Sequence, residues 1–154
     1  MLSDLLLPGA VIPTLKVGNK KQAIQELAAR AAAFVDVPER EIFETLLQRE
    51  RLGSTGVGNG IAIPHGKLTR ITNLFGMFAR LERSIDFDAL DSEPVDLVFL
   101  ILAPEGAGAD HLKALARVAR VLRDQSTAQK LRATRDPAAL HAVLTQPSAS
   151  SNAA

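Results

Sequence analysis

One histidine in this chain stands apart through its neighbours. His65 lies between Pro64 and Gly66, just after Ile61-Ala62-Ile63. A short apolar strand holds its backbone on one side, and a glycine removes bulk on the other. An imidazole with a pKa near ~6.5 is a competent nucleophile at neutral pH when one nitrogen is kept free. A hydrogen bond from the other nitrogen would choose the tautomer. General-base catalysis without a covalent intermediate is the alternative use of the same ring. His111 follows Glu105-Gly-Ala-Gly-Ala-Asp110 and opens a helix. Unpaired amides and the helix dipole favour an anion there; taken alone, a helix-start residue that only packs is the stronger reading. His141, beside Leu140 in the last helix, reads as a surface or boundary residue.

The glycines of Gly56-Val-Gly-Asn-Gly60 fail the dinucleotide fingerprint: the third comes one residue early, and they precede a strand instead of a helix. Gly66-Lys67 is followed by Leu68, so it is not a phosphate-binding loop of the Walker type. Two uses remain: a tight turn between helix and strand, or room for a partner's backbone or a phosphoryl group to approach His65. Ser54 lacks the strand-to-helix elbow of a hydrolase nucleophile. His65, His111 and Asp110 are the right types for a metal site but have no recognised ligand spacing. No metal and no cofactor are expected.

The elements that must position these residues alternate in type. Pro8 and Pro13 divide two short apolar pieces, and Leu15 to Val17 suits the end of an edge strand. A helix begins at Asn19-Lys20, with Ile24, Leu27, Ala28, Ala31 and Phe34 on its inner face. Val37-Pro38-Glu39 starts a second helix, which buries Ile42, Phe43, Leu46 and Leu47 and stops near Leu52-Gly53. Ile61 to Ile63 and Ile71 to Leu81 read as strands, with a turn at Glu82-Arg83-Ser84. Val95 to Leu102 is a nearly unbroken apolar run, as expected of a strand covered on both faces. The helix opened by His111 places Leu112, Leu115, Ala116, Ala119 and Leu122 inward. Ser126 is the expected N-cap of a short helix through Leu131 and Ala133. Asp136-Pro137 begins the last helix, with Leu140, Val143 and Leu144 buried. This order predicts a three-layer α/β/α sandwich with a mixed β-sheet. One domain is expected over residues 1–146, with a disordered tail over 147–154.

Composition narrows the class. The 154 residues suit a single core, and 47% hydrophobic with 23% charged residues is the balance of a globular protein. A net charge of +1 argues against nucleic-acid binding through a broad basic face. The absence of cysteine excludes disulfides, thiol catalysis and cysteine-ligated zinc. No run approaches ~18 apolar residues, so no membrane insertion is expected. The start, with an early acid and no cationic region, does not read as a signal peptide, and a cytoplasmic location is expected.

The segment Arg49-Glu-Arg-Leu-Gly-Ser-Thr-Gly-Val-Gly-Asn-Gly-Ile-Ala-Ile-Pro-His65-Gly-Lys resembles the active-site segment of fructose/mannitol-type enzyme IIA domains of the bacterial phosphoenolpyruvate-dependent phosphotransferase system. Phe87-Asp-Ala-Leu-Asp-Ser-Glu-Pro-Val-Asp-Leu-Val-Phe and Asp-His111-Leu-Lys-Ala-Leu are similar to the nitrogen-regulatory branch. The likeness spans roughly residues 8–146. It implies the enzyme IIA fold and a phosphoacceptor at His65, modified at Nε2. It implies an assisting histidine at His111 and phosphoryl stabilisation by Arg49. It implies an HPr-like phosphocarrier as donor. The implied regulatory targets are proteins such as potassium transporters or sensor kinases. Asn59 lies where some sugar-transporting relatives carry an acid, which favours the regulatory branch, and a stand-alone enzyme IIA without a fused permease, as in that branch, is expected. A sugar-specific enzyme IIA that passes phosphate to a IIB component is the alternative.

Overall fold

The computed structural model describes residues 2–146. The expected disordered tail from Pro147 lies outside the described residues. Six strands form one mixed sheet: β1 (Leu6–Leu15), β2 (Gly56–Gly58), β3 (Ile61–Ala62), β4 (His65–Leu68), β5 (Phe75–Ile85) and β6 (Val95–Pro104). The helices are α1 (Lys20–Val35), α2 (Glu39–Leu52), α3 (Ala109–Arg123), α4 (Gln125–Ala133) and α5 (Pro137–Thr145). The strand order is β1-β5-β6-β3-β2, with β4 also on β6. β1 runs parallel to β5, β5 antiparallel to β6, and both β3 and β4 parallel to β6. Helices α1 and α2 pack on each other, with α2 against β4; α3, α4 and α5 pack in succession, with α5 against β1. Every residue of β6 from Leu97 to Ala103 is buried, because helices cover both faces of this central strand. Phe78, Phe87 and Phe99 are fully buried in the core, each contributing about 1.5–3 kcal/mol by leaving water.

The first apolar pieces join into one strand. β1 holds both prolines because it is an edge strand, where a missing N–H costs no ladder bond on the open side. The strand expected to stop at Pro64 resumes at His65. Ile61 faces Leu97 and His65 faces Ile101, an offset of 36 positions in both cases, so one line of chain follows β6 past the proline. Pro64 donates nothing, but its carbonyl accepts Ile101 N–H at 3.0 Å and keeps the register. Glu82-Arg83-Ser84 is the exposed end of β5 and not a turn. The N-cap of α4 is Asp124, which accepts Thr127 N–H at 3.0 Å, in place of Ser126. Among the described residues no helix is long and apolar enough to cross a membrane.

The largest difference concerns α3. Its buried face is His111, Ala114, Val118, Val121 and Leu122, whereas Leu112 is 69% exposed. Apolar residues surround most of this helix, so two stripes satisfy the same helical spacing. The packing turns the His111 stripe inward and leaves Leu112 on the surface. Phe34 is likewise 42% exposed, although its ring lies 5.4 Å from that of Phe75.

Candidate functional site

His65 is the first residue of β4 and is half-buried. Its Nδ1 lies 2.9 Å from the carbonyl oxygen of Ile63. A carbonyl only accepts, so Nδ1 carries the proton and Nε2 keeps its lone pair. Nε2 in turn accepts from Arg49 Nε–H at 3.1 Å. Both ring nitrogens are therefore assigned by their partners, and the nitrogen facing the guanidinium is the one that keeps its lone pair.

Burial holds the His65 pKa below its ordinary value; the Ile63 carbonyl opposes this, and the Arg49 charge reinforces it. The ring therefore stays neutral to lower pH than a free imidazole. We expect its protonation, followed by NMR of the imidazole nitrogens, to have a midpoint below ~6.5; a midpoint at or above that value would contradict the geometry. The unfolded ring takes its proton first as pH falls. The native state therefore loses stability in the window from ~6.5 down to the folded midpoint.

Arg49 reaches this ring because α2 sits close on β4. A Cβ on Gly66 would lie 2.7 Å from Thr45 Cγ2, so only glycine permits that approach. Arg49 is one turn beyond Thr45 on the same helical face. Its Nη1 donates to the carbonyl of Gly53 at 2.9 Å, which fixes the plane of the fork. No carboxylate pairs with Arg49 among the described residues.

His111 stands in the first turn of α3 and is only 5% exposed. Its ring meets that of His65 edge to face, with centroids 5.4 Å apart and planes at 84°. Among the described residues its buried Nε2 has no hydrogen-bond partner. Burial, then His65 and Lys67, lower its pKa. Among the described residues no side chain caps the start of α3, so its first amides remain available. These groups line an open hollow of about 660 Å³ that also includes Thr45, Lys67 and Gly108. Leu52, 85% exposed, and Leu112 stand on its rim.

Arg49, His65 and His111 are thus brought together by three different elements. Other candidates are not. Ser54 donates to the carbonyl of Phe87 at 2.6 Å and shapes a turn. Among the described residues no group of three or more His, Asp or Glu is arranged to hold a metal, Asp110 included. His141 lies 3.0 Å from the carbonyl of Leu6 and ties α5 to β1. Asn59 and Gly60 form a two-residue hairpin turn with φ of 58° and 78°, the conformation that Asn-Gly favours, between β2 and β3. The glycine-rich stretch is therefore a hairpin, and Asn59 does not line the hollow. Glu50, 5% exposed, was not singled out by the sequence. A carboxylate beside Arg49 in a helix end reads as solvated surface unless its buried partner, Thr55, is known.

The family model described as "Phosphoenolpyruvate-dependent sugar phosphotransferase system, EIIA 2" matches residues 4–146. A nitrogen regulatory protein of Bradyrhizobium diazoefficiens is 63% identical over 148 residues, covering 96% of this chain and 97% of that protein. The nitrogen regulatory protein of Escherichia coli K12 is 43% identical over 128 residues, covering 82% and 78%. The crystal structure of nitrogen regulatory protein IIA-Ntr from Neisseria meningitidis superposes with a TM-score of 0.87 at 33% identity, covering 92% of this chain and 97% of that one.

Proposed function

Because the chain belongs to the EIIA 2 family of the phosphoenolpyruvate-dependent sugar phosphotransferase system, we propose that it is a nitrogen-regulatory enzyme IIA whose His65 accepts a phosphoryl group from an HPr-like phosphocarrier. The observation that carries this reading is the pair of contacts on one ring: Ile63 O on Nδ1 and Arg49 Nε on Nε2. The Nε2 lone pair forms the new N–P bond. The N–P bond to the donor's histidine breaks, and its electron pair stays with the donor nitrogen. The proton stays on His65 Nδ1 throughout, donated to the Ile63 carbonyl. Arg49 turns its donors from Nε2 to the phosphoryl oxygens as that lone pair is used. The orphan Nε2 of His111 and the α3 amides meet the charge in transit. The exposed Leu52 and Leu112 supply an apolar rim on which the carrier docks around the hollow.

The acting unit is the domain over residues 1–146, in the cytoplasm. The acquired group brings a charge of about −1.5 to −2 by analogy with other phosphorylated side chains. On the same rim it changes which proteins bind, and potassium transporters or sensor kinases are the targets the family resemblance implies. The family's description as part of a sugar phosphotransferase system favours a second reading, transfer onward to a IIB component. Incubation with phosphoenolpyruvate, enzyme I and an HPr-like carrier tests the first step, read as an acid-labile mass gain of one phosphate. Addition of IIB proteins separates the two readings: rapid phosphate loss to one of them favours transport, and retention favours regulation.

His111→Ala is expected to slow uptake of the phosphoryl group by about 10-fold. That is less than the ~10²–10³ of a lone oxyanion donor, because the α3 amides remain. Single-turnover transfer measures it. Complete loss with the fold intact would give His111 the acceptor role instead.

A further inference from the structure

We propose that Glu50 and Thr55 form a buried anchor that positions both partners of the His65 ring at once, making them positioning residues for its reactive nitrogen. The inference deepens, and rests on, the reading of His65 as the acceptor. Glu50 and Thr55 are 5% and 3% exposed. The Glu50 carboxylate accepts Thr55 N–H at 3.0 and 3.3 Å and Thr55 Oγ1–H at 2.6 Å. Lys20 Nζ, 3.5 Å away, balances its charge, and also reaches the exposed Asp88 at 2.9 Å. A buried carboxylate this fully bonded is costly to disturb, so the loop it closes is stiff.

Two paths leave that anchor and both end on His65. On one, the turn from Glu50 to Thr55 carries Gly53, whose N–H donates to Glu50 O at 3.2 Å and whose carbonyl receives Arg49 Nη1 at 2.9 Å. Arg49 Nε then meets His65 Nε2. On the other, Thr55 O accepts Ile63 N–H at 2.9 Å, and Ile63 O accepts His65 Nδ1–H at 2.9 Å. Thr55 thus sits at the junction of the two contacts that choose the tautomer. The charged and titratable groups around the ring are Arg49 and Glu50 from α2, Lys67 from β4 and His111 from α3. Thr55→Val adds and removes no charged group, and the hydrogen bond it deletes is the anchor's own.

The test labels the histidines with ¹⁵N and reads the two His65 nitrogens by NMR in the whole chain. Wild type should show them well separated, Nδ1 protonated and Nε2 bare. Thr55→Val removes the hydroxyl donor at constant shape, and Glu50→Asp withdraws the carboxylate by about one C–C bond, ~1.5 Å. In both, the two His65 signals should converge as the tautomers mix, while His141 stays unchanged. Thr55→Ser, which keeps the hydroxyl, should restore the wild-type separation. Transfer should slow at least tenfold in Thr55→Val and Glu50→Asp and recover in Thr55→Ser. Wild-type separation in folded Thr55→Val or Glu50→Asp, or convergence in Thr55→Ser, overturns the proposal. Unfolding of both disabling variants would assign the pair to the fold alone and overturn it equally. The spectrum needs no phosphate donor. A wild type that takes no phosphate therefore removes the acceptor reading while the anchor is still judged by its signals.

Discussion

His65→Ala is expected to take up no phosphate from an HPr-like carrier, a loss on the order of 10⁴-fold or more, as when a nucleophile is deleted from its catalytic unit. The reasoning is one of access. Nε2 of His65 is the lone pair presented at the hollow, whereas His111 is 5% exposed and meets the His65 ring edge to face. With the first ring gone, His111, buried in the first turn of α3, is not expected to replace it. The variant leaves Ile63 O and Arg49 Nε without their shared partner, so it should also be less stable, by about 1–3 kcal/mol for such orphaned groups. Circular dichroism must therefore accompany the phosphorylation assay. An undiminished, acid-labile mass gain in a folded His65→Ala protein would place the acceptor elsewhere and dismantle the mechanism.

How far these groups were legible in the sequence differs residue by residue. Pro64, His65 and Gly66 announce a held but reachable imidazole through their own chemistry, and the long motif around them is specific. The central strand β6 was visible because a doubly covered strand must be apolar throughout. Less visible was the role of Gly66. It reads as freedom for the histidine, yet in the fold it makes room for Thr45 and so draws Arg49 to the ring. That is a contact between residues 21 apart in the chain, and no local pattern encodes it. The face of α3 was misread for a related reason. Leu112 is more apolar than His111, so spacing alone turns the leucine inward. The structure buries the histidine against His65 and leaves the leucine beside the hollow. A local pattern that conflicts with the packing is a mark of a functional surface. Glu50 was hidden in the opposite way, since nothing in Arg49-Glu50-Arg51 distinguishes the buried charge from its exposed neighbour. Its partner Thr55 becomes evident only when the turn closes.

Arg49→Lys is expected to slow phosphoryl uptake by about 10²–10³-fold while leaving the acid limb of His65 near that of wild type. The substitution keeps one positive charge and removes the planar fork. In the native site the fork does two things together: Nη1 is tethered to Gly53 O at 2.9 Å while Nε meets His65 Nε2 at 3.1 Å. An ammonium is a single point of donors on a flexible stem. It cannot hold the Gly53 tether and still present parallel N–H groups to phosphoryl oxygens, so it loses orientation more than charge. Arg49→Ala provides the other half of the argument. There the charge that helps keep His65 neutral also disappears, so the ring's protonation midpoint should rise relative to wild type. Rate and midpoint should thus separate: both variants slow transfer, but only Arg49→Ala shifts the acid limb upward. Equal transfer rates in Arg49→Lys and wild type would mean that charge alone suffices, and the tethered fork would then have no part in the transfer.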